Sequence, residues 1–233
     1  METRLIGGRV TAGIVRIGDT VRRPVRTDRT LQHQLLSHLE RRGFAGTPRF
    51  LGIDDLGREM LSYLDGEVPG DLGHFSDAQI SAAAALLRGF HDATIDFPPV
   101  RELEAEVICH NDWGPSNAVF RDGLPFGIID FDTIAPGLRL WDLGYSAWLW
   151  LDIGNSDYSA DEQLRRLMVF ADAYDSPACS AAQISAYAVA RQTALAARGR
   201  AQGQTEMAAW AAAAAAWTVV NIAERLLPTG FRG

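Results

Sequence analysis

Lysine is missing from this chain altogether, so all 22 of its basic residues are arginine. A genome rich in G and C, where arginine codons replace lysine codons, is one source of such a bias. Whatever its origin, the absence rules out a lysine nucleophile, a Schiff base and a lysine phosphate anchor. Cysteine is nearly missing too: Cys109 and Cys179 have neither the number nor the spacing of a metal site or a disulfide framework. No apolar run is long enough to span a bilayer, since the longest, Ala208 to Val220, is short and mostly alanine. The opening METRLIGGRV lacks the apolar stretch of a signal peptide, which makes the cytoplasm the expected location. A basic surplus is lacking as well. The net charge of −7 argues against nucleic acid, which needs a basic face, and is compatible with a cationic small molecule. Oligomeric state stays open.

What is present is the composition of a folded protein, 47% hydrophobic and 22% charged over 233 residues. That length holds one large domain or two lobes sharing a core. The first part, residues 1–64, reads as strands with one helix. Ile14 to Ile17 and Thr20 to Val25 are β-rich runs joined at Gly18-Asp19, a dipeptide suited to a tight turn. Thr27 or Asp28 can cap a helix with Leu31, Leu35, Leu36 and Leu39 on one face, which Gly43 stops with Phe44 closing the cap. Pro48 to Ile53 and Glu59 to Leu64 follow as strands, turning at Asp55-Leu56-Gly57. Asp65 to Phe75, rich in Gly, Pro and Asp, marks the boundary with a second part, 65–233. There Ser76 and Gln79 form a capping-box pattern ahead of a helix carrying Ile80, Ala84, Leu87 and His91. From Trp141 onward the pattern is helical, with helices over Asp161 to Tyr174, Ser180 to Gly203 and Thr205 to Leu227. Their alanine content favours close helix packing.

Between these lies the segment that carries chemistry. Val107-Ile108-Cys109 is a short apolar strand delivering His110-Asn111-Asp112 to a loop, with Asn117 five residues beyond Asp112. Ala118 to Phe120 and Leu124 to Ile129 form a hairpin across Asp122-Gly123 and end in Asp130-Phe131-Asp132. Loop and hairpin can therefore bring Asp112, Asn117 and Asp130 to one end of a small sheet. Two carboxylates and an amide carbonyl are hard oxygen ligands of the kind Mg²⁺ takes alongside phosphate. Phosphoryl transfer to a hydroxyl needs an acceptor for the hydroxyl proton and metal ions on the phosphates, and these residues could supply both. The competing reading is a solvated loop of common turn formers, which explains neither the order nor the spacing.

The succession His110-Asn111-Asp112 with Asn117, then Ile129-Asp130-Phe131-Asp132, then Trp141-Asp142-Leu143-Gly144 resembles the aminoglycoside and choline kinase-like phosphotransferases. The resemblance implies an α+β, protein-kinase-like fold: a small antiparallel β lobe with one helix, and a larger, mostly helical lobe. It implies ATP and Mg²⁺ as cofactors and a small hydroxylated acceptor, with aminoglycoside, amino alcohol, sugar and peptide hydroxyls all open. By the same resemblance Asp112 is the catalytic base, Asn117 and Asp130 are the metal ligands, and His110, Asp132 and Asp142 support the loop. Asp132 can equally be a loop cap.

The small lobe departs from that pattern. Kinases anchor phosphates with a strand lysine paired to a glutamate on the next helix. Here Arg22 or Arg23 is the available cation, and strand alternation points one of them inward without saying which. The middle of the helix offers Gln32, His33 and Gln34, with Glu40 near its end, so the usual pair is missing or rebuilt. Gly7 to Gly13, including Gly8 and Gly13, reads either as a phosphate-covering loop or as a plain glycine turn. Ser62 to Leu64 take the place of the hinge that meets adenine. His91 and Cys109 read as core residues, and the tryptophans at 141, 148, 150, 210 and 217 as core fillers. Asp152, Asp157, Asp161 and Glu162 could line an acceptor site or simply a solvated loop and helix start. The small-lobe stretch also resembles a branch labelled as toxin-immunity or resistance proteins. That likeness supports an alternative: a catalytically impaired, kinase-like binding protein acting as an immunity or resistance factor.

Overall fold

Short β-branched runs and glycine turns shape the first third of the chain. In the computed structural model, which describes residues 2–4, 13–25, 27–70 and 72–226, they become five strands. β1 (Glu2–Arg4), β2 (Val15–Ile17), β3 (Thr20–Pro24), β4 (Phe50–Ile53) and β5 (Arg58–Ser62) form one antiparallel sheet in the order β1-β2-β3-β5-β4. Gly18, at φ +58°, makes the β2–β3 turn, a backbone region that side chains other than glycine rarely enter. α1 (Thr30–Arg41) lies against this sheet and buries Leu35, Leu36 and Leu39. Its start differs slightly from expectation. Arg29 holds the N-cap position, while Asp28 Oδ1 accepts bonds from Thr30 N at 2.9 Å and Thr30 Oγ1 at 2.6 Å. The stop is as anticipated, with Gly43 at φ +73° and Phe44 N bonded to Leu39 O at 3.0 Å.

The larger lobe begins with α2 (Asp77–Thr94), capped by the reciprocal Ser76–Gln79 box. After α3 (Pro98–Glu102) come β6 (Val107–Cys109), a 3₁₀ turn (Pro115–Asn117), and the hairpin β7 (Ala118–Arg121) and β8 (Leu124–Ile128). β9 (Ala135–Gly137) pairs with β6, a strand the sequence did not reveal. Pro136 at its centre and Gly137 at its end read as loop residues, and only the tertiary pairing with Ile108 makes them a strand. α4 (Arg139–Leu151), α5 (Ala160–Tyr174), α6 (Ala181–Ala201) and α7 (Thr205–Thr218) complete the helical body. The last helix is not continuous: Val219–Ala223 widens into a π turn before α8 (Glu224–Leu226). There Thr218 Oγ1 takes the Ala214 carbonyl at 2.7 Å and Asn221 Nδ2 the Trp217 carbonyl at 3.0 Å, competing with the backbone ladder.

The two-lobed α+β expectation holds, and one apolar core serves both lobes. It runs from Leu35 and Leu39 of α1 through Ile80, Leu87 and Phe90 of α2 to Trp113, Trp148 and Trp150. Fully burying side chains of this kind is worth roughly 1.5–3 kcal/mol each. The connecting segment is pinned too, with Glu67 bonded to Phe120 in both directions at 2.9 and 2.7 Å. Among the described residues no helix is long and apolar enough to cross a membrane.

Candidate functional site

The loop after β6 is held open by one buried acid. Asp142, in the first turn of α4, is fully buried and accepts three bonds: from His110 N at 2.7 Å, Asn111 N at 2.7 Å and His91 Nε2 at 3.0 Å. Burial works against its charge, but the His91 bond and the His91 and His110 rings outweigh it, and the carboxyl stays below its usual range. His91 is itself fully buried, which pushes its imidazole down, and its other nitrogen meets the Tyr174 hydroxyl at 2.8 Å. Asn111 is left at φ +66°, a conformation asparagine tolerates better than most. His110, also buried, donates from Nε2 to Ile129 O at 3.0 Å and so joins the loop to the hairpin end.

This clamp presents Asp112. Its Oδ2 accepts from Asn117 Nδ2 at 2.9 Å, and its Oδ1 accepts from the Tyr145 hydroxyl at 3.1 Å. Asn117 also donates to Asp112 O at 2.8 Å, so its amide nitrogen is committed to the loop while its carbonyl oxygen is free to meet a cation. Asp130 follows β8 at φ +63°, and its carboxyl is pushed up by burial in the recess and by the neighbouring Asp132 charge, against Arg23. Between the two acids, Phe131 is buried against His110 at 5.3 Å and Phe90 at 6.1 Å, which anchors the turn.

Arg23 crosses from the small lobe to this turn, 3.6 Å from Asp130 Oδ1 and paired with Asp132. Arg22 occupies the opposite face of β3, bonded to Thr20 Oγ1 at 2.6 Å and 3.5 Å from Asp54. Of the two arginines expected at the phosphates, only Arg23 reaches the acids, because alternation along a strand sends neighbours to opposite faces. Asp132 is also gripped by Arg29 Nη1 at 2.7 Å. Burial raises its carboxyl, yet the two arginines together hold it below the usual range. Arg29 in turn reaches the buried Glu59 through Nε at 3.1 Å.

Of the remaining expected positions, Gly8 lies outside the described residues. Gly13, at φ +91°, packs toward Pro24, whose Cγ would sit 3.3 Å from an added Cβ. Ser62 commits its backbone N–H and hydroxyl to Arg49, at 2.9 and 2.8 Å, and Leu64 lies over Gly127 of β8. Asp161 pairs with Arg225 and Glu162 with Arg165, which makes them surface ion pairs.

Sequence reasoning missed Tyr145, Arg191, Arg29 and Glu59. Tyr145 lies one helical turn beyond Asp142, so the i, i+3 relation on α4 was the signal that could have found it. Arg191, from α6, donates to Asn111 O at 2.7 Å and lies over the Trp141 and Tyr145 rings at 4.7 and 4.5 Å. Nothing local marked it. Trp148 is core as expected, but Trp210 is half-exposed and stacks on it at 4.4 Å. Beside Trp210 opens a cavity of about 380 Å³, lined by Asp152, Asn155 and Ser156 among others.

A cation fits this donor set. Among the described residues no cluster of three or more His, Cys, Asp or Glu could hold a metal alone. Asp130 and the Asn117 carbonyl would share it with phosphate oxygens and water, which suits Mg²⁺.

Comparison with known proteins bears on the fold. Residues 98–177 match the phosphotransferase enzyme family. A trifolitoxin immunity protein from Rhizobium leguminosarum bv. trifolii is 36% identical over 157 residues, covering 61% of this chain and 59% of that protein. The chain thus spans about three fifths of that relative. Among solved structures, a choline/ethanolamine kinase family protein from Mesorhizobium loti superposes with a TM-score of 0.62 at 16% identity, covering 97% of this chain and 89% of the other. The GDP complex of aminoglycoside 2'-phosphotransferase-IIIa does so at 0.58 and 13%, covering 95% and 93%. At such identities these likenesses establish the fold, which is kinase-like.

Proposed function

We propose that this chain transfers a phosphoryl group from ATP to a hydroxyl of a small molecule. The observation that carries the proposal is the clamped loop. One buried acid fixes the backbone of His110 and Asn111, so that Asp112 stands beside Asn117 and across from the acid turn that Arg23 faces. In this reading residues 1–64 cover the nucleotide, with Ser62 to Leu64 at its adenine end. Residues 65–233 supply the rest. Asp112 accepts the proton of the acceptor hydroxyl, while Tyr145 and Asn117 hold the carboxylate in one orientation. Asn117 and Asp130 would hold Mg²⁺, which when bound neutralises phosphate charge. Arg23 adds a fixed cation in the place of the missing lysine. The cavity beside Trp210 and Asp152 would take part of the acceptor, and its acid and aromatic ring suit a cationic one.

A second reading has its own support. The relative named for trifolitoxin immunity suggests an immunity or resistance factor, and the lost lysine suggests one that binds without turning over. The two separate in one experiment. Calorimetry measures Mg²⁺–ATP binding, and ATP turnover is then followed across aminoglycosides, amino alcohols, sugars and hydroxyl-bearing peptides. Under the kinase reading, Asp112→Asn keeps nucleotide binding while the rate falls by about 10² to 10⁴. Asp130→Asn weakens nucleotide binding in Mg²⁺. Binding with no turnover of any acceptor favours the immunity reading, and no binding at all refutes the proposal.

A further inference from the structure

The carboxylate that kinases place on the helix after β3 has no counterpart on the sheet-facing side of α1. The helix carries one acid, Glu40, near its far end and paired with Arg49 at 2.9 Å. The acid on this face comes from β5 instead. The register of β3 and β5 sets Glu59 directly opposite Arg23, and Glu59 is completely buried. Two donors converge on its Oε1: Arg29 Nε at 3.1 Å and His33 Nε2 at 2.8 Å, the His33 ring being stacked on Phe50 at 3.9 Å. Its other oxygen, Oε2, is buried without a partner. A buried carboxylate is costly unless donors satisfy it, and a half-satisfied one asks for an explanation. Arg29 supplies part of one, since the same guanidinium also grips Asp132. Glu59 is thus linked through Arg29 to the acid turn that Arg23 faces.

We infer that Glu59 positions Arg23 and Arg29 for the phosphates of the nucleotide, taking over from β5 the duty that elsewhere falls to a helix glutamate. The inference rests on the nucleotide reading above. Glu59 Oε1 fixes Arg29 from the side, which aims its Nη1 at the acid turn. Glu59 Oε2, on the residue opposite Arg23, is a ready acceptor for that side chain when it leaves Asp130 and Asp132. Glu59 meets no reacting atom, so it is a positioning residue.

The test uses the whole chain and a non-hydrolysable ATP analogue with Mg²⁺, measured by calorimetry. Glu59→Gln should weaken binding about 10- to 100-fold, the range typical when the outer partner of a metal-ligating side chain is removed. Because this substitution leaves Arg29 buried beside a neutral group, a second variant adds His33→Glu to it. His33 already touches Glu59 Oε1, so a glutamate there returns the charge from the helix. Affinity should recover to within a few-fold of the unmodified chain. A purely structural Glu59 would lower the melting temperature and leave the affinity of folded protein alone, and that result overturns the inference. If the single variant does not fold, the double variant decides: folded with affinity restored supports the inference, folded with affinity lost overturns it. An unmodified chain that binds no nucleotide overturns this inference together with the function proposed above. Binding that Glu59→Gln leaves untouched overturns this one alone.

Discussion

Asp142→Asn exchanges one oxygen for a nitrogen at the centre of the loop clamp, and its cost follows from counting bonds. The native carboxylate faces three donors, two backbone N–H groups at 2.7 Å and His91 Nε2 at 3.0 Å. An asparagine offers one acceptor oxygen, so its NH₂ must be turned toward at least one of those donors. Bonds to a charged partner are worth about 1.5–3 kcal/mol and neutral ones about 0.5–1.5, so the retained bonds lose roughly 1 kcal/mol each. The donor left facing NH₂ inside the core adds about 1–3 kcal/mol. The total is about 3–5 kcal/mol. For a chain of this size each kcal/mol lowers Tm by about 2–4 °C, which gives a drop of about 6–20 °C. Calorimetric melting at neutral pH measures it directly. A loss below about 1 kcal/mol would refute the reasoning, because His110 and Asn111 would then hold their places without the acid.

Tyr145→Phe removes the hydroxyl that donates to Asp112, so steady-state kinetics on a turned-over acceptor should show kcat falling about 10- to 100-fold with KM for nucleotide unchanged. Gly144→Ala should destabilise by about 1–3 kcal/mol or more. Its Cβ would sit 2.4 Å from the Tyr187 carbonyl carbon and 2.6 Å from Ala188 N, backbone atoms of α6 that cannot swing away, and a melt reads the result. Stability should also decline as pH falls through about 6.5. Burial holds His91 neutral in the folded chain, below the usual 6.5, so only the unfolded chain takes up a proton there. The limiting slope is about 1.4 kcal/mol per pH unit for one proton. Asp142, held below its usual 3.8, adds a further loss only beneath that value, and melts at pH 7.5, 6.5, 5.5, 4 and 3 separate the two.

Much of the fold was legible because its signals are local. Ser76 with Gln79, Gly43 with Phe44, and Asp122-Gly123 each act within a few residues, and each sits where the chain needed a start, a stop or a turn. The features that escaped are those made by distant partners. Ala135–Gly137 becomes a strand only because β6 lies beside it. The widening at Val219–Ala223 depends on two side chains back-bonding to their own helix, a choice that alanine-rich periodicity does not display. By contrast, Asp112, Asn117 and Asp130 stood out by their spacing along the chain, and Asp142 by the family resemblance of the segment that holds it. Arg191 sits on an alanine-rich helix and looks like any solvated cation until α6 is packed against Asn111.

The small lobe sets arginines beside the acid turn where the kinase arrangement has a lysine. With no lysine anywhere, a point charge beside the acid turn is unavailable, and arginine brings a wide planar fork that must be held flat to be useful. One arginine alone would be loosely aimed. Here Arg23 and Arg29 approach Asp132 from different elements, and Arg29 is braced from behind by Glu59. The brace can come from a strand as well as from a helix, because antiparallel register puts residues 23 and 59 side by side. Counted over Arg23, Arg29, Glu59, Asp130 and Asp132, the local charge is −1. That equals the sum of a lysine, a glutamate and one metal-binding aspartate in the kinase arrangement. Arg29 is matched by Asp132, so under the proposed function the formal charge beside the phosphates would equal that of the kinase arrangement.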